Sequence, residues 1–145
     1  MKELRVLIPL VSKKENNELF LQKATEGAKE ITLLLVIDKK EMVGQFGFAA
    51  SEIMQGTALI EQIKKFLVEH GKRAKEIVEW GDTETKIEHI AILQKADKVF
   101  LLEQDNEYFK SLVKCLKKSL ANKVETFAAA EQKPAKEENF GIGKA

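Results

Sequence analysis

The span from Ala74 to Leu102 constrains the fold more than any other part of the chain. It reads Ala-Lys-Glu-Ile-Val-Glu-Trp, then Gly81-Asp82-Thr83, then an amphipathic run, then Ala96-Asp97-Lys98-Val99-Phe100-Leu101-Leu102. This is the pattern of a strand, a tight turn carrying a helix cap, a helix and a second strand. Asp82 or Thr83 can accept from the orphan amides of the first helical turn. Ile87, Ile90, Ala91 and Gln94 fall three and four residues apart, so one side of the helix is mostly apolar. Val99 to Leu102 is apolar on both faces, as in a parallel strand covered by helices above and below. A right-handed βαβ crossover follows.

The same alternation runs through the rest of the chain. Arg5 to Val11 reads as a buried first strand, with Pro9 near its end because proline cannot donate to a ladder. Ser12 to Asn17 is a polar loop. Leu19, Phe20, Ala24 and Ala28 give the next helix its apolar side, to about Lys29. Ile31 to Ile37 is a second strand, ended by Asp38-Lys39-Lys40. Ser51 reads as a cap for a long helix whose apolar row is Ile53, Met54, Ile60, Ile63 and Leu67. Gly71 after His70 suits the left-handed conformation of a helix stop. Phe109, Leu112, Val113, Leu116 and Leu120 define the last helix, broken at Asn122, and Val124 to Ala130 a last strand. The sum predicts an α/β fold, an open doubly wound sheet of about five mainly parallel strands with helices on both faces. Residues 1–130 would form that domain, and 131–145 a loose polar tail, pinned by Phe140 or Ile142.

Composition removes several function classes. Lys+Arg total 24 against Asp+Glu 23, so bulk electrostatics gives no nucleic-acid binder. No apolar run approaches the ~20 residues of a membrane span. Residues 4–11 are apolar but short, without a signal peptide's small-residue cleavage site. The single cysteine, Cys115, allows no internal disulfide and fits a cytoplasmic protein.

In doubly wound sheets, ligands bind outside the carboxyl ends of the strands, where the strand order reverses. The segments after Val11, Ile37 and Leu102 are therefore the candidate crevice.

Four stretches together resemble the universal stress protein family. Arg5-Val-Leu-Ile-Pro-Leu-Val11 is similar to its first strand, and Leu33-Leu34-Leu35-Val36-Ile37-Asp38 to its second. Gly81-Asp82-Thr83-Glu84-Thr85-Lys86-Ile87 is similar to its entry to the third helix, and Ala96-Asp97-Lys98-Val99-Phe100-Leu101-Leu102 to its fourth strand. The resemblance spans residues 5 to about 127. It implies an adenine nucleotide alpha hydrolase-like sheet in the order 3-2-1-4-5 and a homodimer paired through the fifth strands.

Where the chain departs from the family bears on function. The nucleotide-binding branch follows its fourth strand with a glycine-rich loop whose amides cradle a triphosphate. Here Leu102 runs into Glu103-Gln104-Asp105-Asn106-Glu107, and no glycine occurs between Gly81 and Gly141. Two like charges ~4 Å apart cost about 4 kcal/mol at an effective dielectric of ~20. Val11 stands where the family has an aspartate that contacts nucleotide, and Val36 keeps an adenine-side residue type. The candidate crevice is Pro9, Val11, Ser12, Val36, Glu103 and Asp105, with no cofactor expected and a nucleotide as the rival reading. Glu103, Asp105 and Glu107 read as a solvated turn before a helix rather than a metal site.

His70, His89 and Cys115 show no catalytic pattern. Lys110, Lys114, Lys117, Lys118 and Lys123 form a basic run that suits the end of a helix. Met42, Phe46 and Phe48 lie in an irregular segment, Lys39 to Glu52, with three readings: an exposed patch for a protein partner, a lid over the crevice, or packing against the sheet. The sequence thus predicts a non-enzymatic regulatory or interaction module that does not bind ATP in the family's usual way. The alternative is a nucleotide-binding (ATP or AMP) stress-response protein with a divergent phosphate loop.

Overall fold

The structure, a computed structural model, describes residues 4–38 and 48–128. In chain order it contains β1 (Leu4–Pro9), α1 (Glu18–Ala24), β2 (Ala28–Ile37), α2 (Ile53–Glu69), β3 (Ala74–Trp80), α3 (Thr83–Leu93), β4 (Lys98–Leu102), α4 (Glu107–Leu120) and β5 (Val124–Phe127). All strand pairs are parallel, and the sheet order is β3-β2-β1-β4-β5. This is the fold the sequence predicts.

The strand residues sort by parity onto two cores, as a pleated backbone requires. Val6, Ile8, Leu10, Leu33, Leu35, Ile37, Phe100 and Leu102 pack with α1 and α2 on one face. Leu7, Val11, Leu34, Val36, Val99 and Leu101 pack with α3 and α4 on the other. Both faces of β1, β2 and β4 are therefore dry. Phe20 of α1 meets Phe100 edge-on at 5.7 Å, an arrangement worth about 1 kcal/mol beyond its buried area.

Five local expectations are corrected. Helix α1 ends at Ala24, not near Lys29. The buried Thr25 hydroxyl donates to the Leu21 carbonyl at 2.7 Å, and Gly27 takes φ +72 to reverse the chain. Strand β2 then starts at Ala28, three residues early. Leu19 and Met54 are 50% and 84% exposed, so neither belongs to its helix's buried row. Ser51 does not cap α2. Glu52 does the local capping, accepting the Ala49 amide at 2.9 Å. Strand β1 stops at Pro9 rather than Val11. The stop at Gly71 stands, with φ +76. The proposed tail lies outside the described residues.

Candidate functional site

Every βα turn delivers a helix N-terminus to the same end of the sheet, the carboxyl end of the strands. Unbonded amides there are natural donors for an anion. In this chain its own side chains take them. Asn17 accepts the Phe20 amide of α1 at 2.9 Å. Asp82 accepts the Thr85 amide of α3 at 2.9 Å, and Asn106 the Phe109 amide of α4 at 2.7 Å.

The exit of β1 is filled most completely. After Leu10 bonds Leu34, the chain turns through Val11 and Ser12, and Lys13 takes φ +68. The Glu15 carboxylate folds back into this turn. Its Oε2 accepts the Val11 amide at 3.0 Å and the Ser12 amide at 2.8 Å. These are donors that a phosphate would use at such a turn. Glu15 is fully buried, and its Oε1 has no hydrogen-bond partner among the described residues. Burial pushes its carboxyl above the ordinary range, while the bonds from Ser12 and Val11 pull it part of the way back.

The exit of β2 is closed next to it. Phe48 pairs with Ile37 as an isolated parallel bridge, and the Asp38 amide donates to the Phe48 carbonyl at 3.0 Å. Ile37 gives its carbonyl to Gly81 on the β3 side, so the Asp38 bond points to the β1 side. Phe48 thus occupies the place in the sheet that β1 gave up when it turned away. Its ring is fully buried in the α1/α2 core. Gly56 of α2 makes room, because a Cβ there would lie 3.3 Å from the Phe48 ring and 2.8 Å from Leu35. Lys13 Nζ sits 5.4 Å above the same ring and pairs with Glu52 at 3.1 Å, with both side chains 12% exposed.

On the α3/α4 side, Asp38 Oδ2 accepts both the amide and the hydroxyl of Thr83 at 2.9 Å. Tyr108, from the first turn of α4, hydrogen-bonds Thr83. Its phenol is held above the ordinary 10.0, first by burial and then by the charges of Asp38 and Asp82. Asp38 therefore ties the β2 exit to α3, and Tyr108 of α4 joins them at Thr83.

The sequence-predicted crevice residues divide into two groups. Pro9, Val11, Ser12 and Val36 are all buried at the β1/β2 exits, Val11 and Val36 as core residues beneath α3 and α4. Glu103 and Asp105 lie at the β4 exit, where with Lys110, Lys114 and Lys117 they line a groove between α4 and β5. No hydrogen bond or ion pair among the described residues links the groups. Phe48 is a core residue, while Met42 and Phe46 lie outside the described residues. His70 stacks on Phe66 at 4.1 Å, and His89 is exposed. Cys115 is a half-buried thiol. Among the described residues, no group of three or more His, Cys, Asp or Glu is placed to hold a metal. No helix among them is long and apolar enough to cross a membrane.

Glu15, Asp38 and Tyr108 are the residues that sequence reasoning missed. One signal did exist for Glu15: Ser12-Lys-Lys-Glu15 has the Ser-x-x-Glu spacing of a reciprocal cap.

The fold is an open, all-parallel five-stranded α/β sheet in the order β3-β2-β1-β4-β5, with helices packed on both faces. Among solved structures, the chain is similar to hypothetical protein MJ0577, with a TM-score of 0.64 and 23% identity over 88% of this chain and 97% of that one. It is also similar to part of a bacterial class III photolyase from Agrobacterium tumefaciens, with a TM-score of 0.59 and 19% identity. That match covers 88% of this chain and 26% of the photolyase, so the chain spans about a quarter of its length. No protein-family profile and no curated protein matches the sequence.

Proposed function

We propose that this protein is a universal-stress-protein-like regulatory or interaction module, a divergent member that does not bind ATP in the family's usual way. One observation carries the reading: the Glu15 carboxylate occupies the Val11 and Ser12 amides that an anionic ligand would need. An incoming phosphate would have to displace it, and the acidic turn from Glu103 to Glu107 repels it further. The domain is residues 1–130, with 131–145 a tail, acting in the cytoplasm. Met42 and Phe46 remain its candidate contacts for a protein partner.

Homodimerisation through β5 is part of the same reading. Two features support it. Edge strand β3 carries three charged residues among its seven, and Lys64 and Lys86 pair with Glu76 and Glu79 along it. Strand β5 has one charge, Glu125, tied inward to Lys98. Charge along that margin also runs from acid at Glu103 and Asp105 to base at Lys117. A two-fold pairing of antiparallel β5 strands would set one copy's acidic end against the other's basic end.

The nucleotide reading is tested by melting the protein with millimolar ATP, ADP and AMP, with and without magnesium. No shift is expected. A rise of several degrees with ATP would overturn the proposal in favour of a nucleotide-binding stress-response protein with a divergent loop.

A further inference from the structure

A groove of 570 Å³ runs between α4 and β5, apart from the closed mouth. That volume lies within the range of about 300–1,000 Å³ typical of ligand sites. Phe109 and Val113 form its floor. Lys110, Lys114 and Lys117 recur at helical spacing, so all three stand along one wall. Lys110 is shared with Asp105 and Glu107, at 3.9 Å and 3.8 Å. Lys114 and Lys117 have no acidic partner among the described residues. At the other end, Gln104 Nε2 is buried with no acceptor among them.

We propose that this groove binds a free amphipathic carboxylate, with its apolar chain over Phe109 and Val113 and its head at Lys114 and Lys117. The charges fix both the sign and the direction. The lining lysines exceed Glu103 and Asp105 by one, which matches a singly charged head. The acids stand at the Gln104 end, so the head turns away from them and toward the basic end. From Phe109 to Lys117 the helix rises about 12 Å, the reach of a medium-length alkyl chain. This site is independent of the β1 mouth, and it shares Glu103, Asp105 and Lys117 with the charged margin beside β5.

The test is a calorimetric titration of the full-length protein with decanoate below its micelle-forming concentration, followed in parallel by amide NMR. One saturable site is expected, with shifts at Val113, Lys117 and Thr126 and weaker binding of decanol. The Lys114→Glu/Lys117→Glu double variant should bind decanoate at least about a hundredfold more weakly, the loss of both charge-assisted contacts. Both lysines are exposed, so its melting temperature should fall by only the few degrees that reversing a charge in the last turn of α4 costs. Thr126→Trp, which fills the groove from β5, should also abolish the shifts. Equal binding of decanol, undiminished binding by the double variant, or shifts confined to the Leu19 and Phe66 side would overturn the proposal. So would binding seen only with anionic vesicles or only with an acidic peptide.

Discussion

Asp38 accepts two hydrogen bonds from Thr83, one from the amide and one from the hydroxyl, both at 2.9 Å. The residue that ends β2 therefore anchors the start of the helix that follows β3. Asp38→Ala leaves a buried amide and hydroxyl without an acceptor and should cost about 2 kcal/mol in urea unfolding. Asp38→Asn keeps an acceptor and removes the charge. Tyr108 is the chain's only tyrosine, so its ionisation is readable by near-ultraviolet absorbance. Its midpoint should lie above 10.0 in the native protein and fall in Asp38→Asn, because the Asp38 charge is one cause of the rise.

Glu15 gives a pH signature. Its folded-state proton affinity is raised by burial above the ordinary 4.5. The folded protein then holds a proton where the unfolded chain has released it. The stabilisation is fully present below pH 4.5 and is lost as pH rises through the folded value. Glu15→Gln removes this slope, so the stability of the native protein should gain on the variant as pH falls from neutral. Glu15→Ala should cost about 3 kcal/mol near neutral pH, because the Val11 and Ser12 amides both lose their acceptor, and more as pH falls. Melting curves of the three proteins across mildly acid pH decide it. Parallel curves for the native protein and Glu15→Gln would contradict the assignment.

Phe48→Ala should destabilise the fold by about 3–5 kcal/mol, the usual cost of emptying a packed aromatic site. Chemical denaturation checks this. A variant of native stability that had merely lost a binding partner would place the ring outside the core.

Strand β5 tests the dimer. Phe127 gives its carbonyl to Glu103, so Thr126, one residue before, directs its amide to the open side. Thr126→Pro removes that outward donor without touching the ladder to β4. Sedimentation should show the native protein at twice the monomer mass and the variant at the monomer mass, with circular dichroism unchanged. A native monomer would sink the pairing.

The parallel sheet was legible because β1, β2 and β4 are apolar on both faces and separated by helix-period segments, whereas its strand order came from the resemblance. That signal is long and redundant. The short helix α1 was overrun because Thr25 and Gly27 end it by side-chain and backbone chemistry, while the apolar spacing continues to Ala28. Met54 has the right spacing for the buried row but falls on the outer side of the first turn of α2. The mouth was legible only in its negative half. The missing glycines and the acids after Leu102 can be read from letters. That Glu15 would turn inward, or that Asp38 would reach Thr83 across 45 positions, depends on tertiary placement. Phe48 shows the same limit, since an apolar residue in an irregular segment reads equally as surface patch, lid or core.

The two margins of the sheet differ in one further respect. Filaments need a subunit that offers adhesive borders on opposite flanks, so that each newcomer leaves another border free. In a pair that closes along β5, a third copy could add only along β3, where Lys75, Glu76 and Glu79 stand beside the exposed Val78 and Trp80 and oppose a flush edge. Association would end at two, and the protein would be guarded against runaway stacking by the asymmetry of its own flanks.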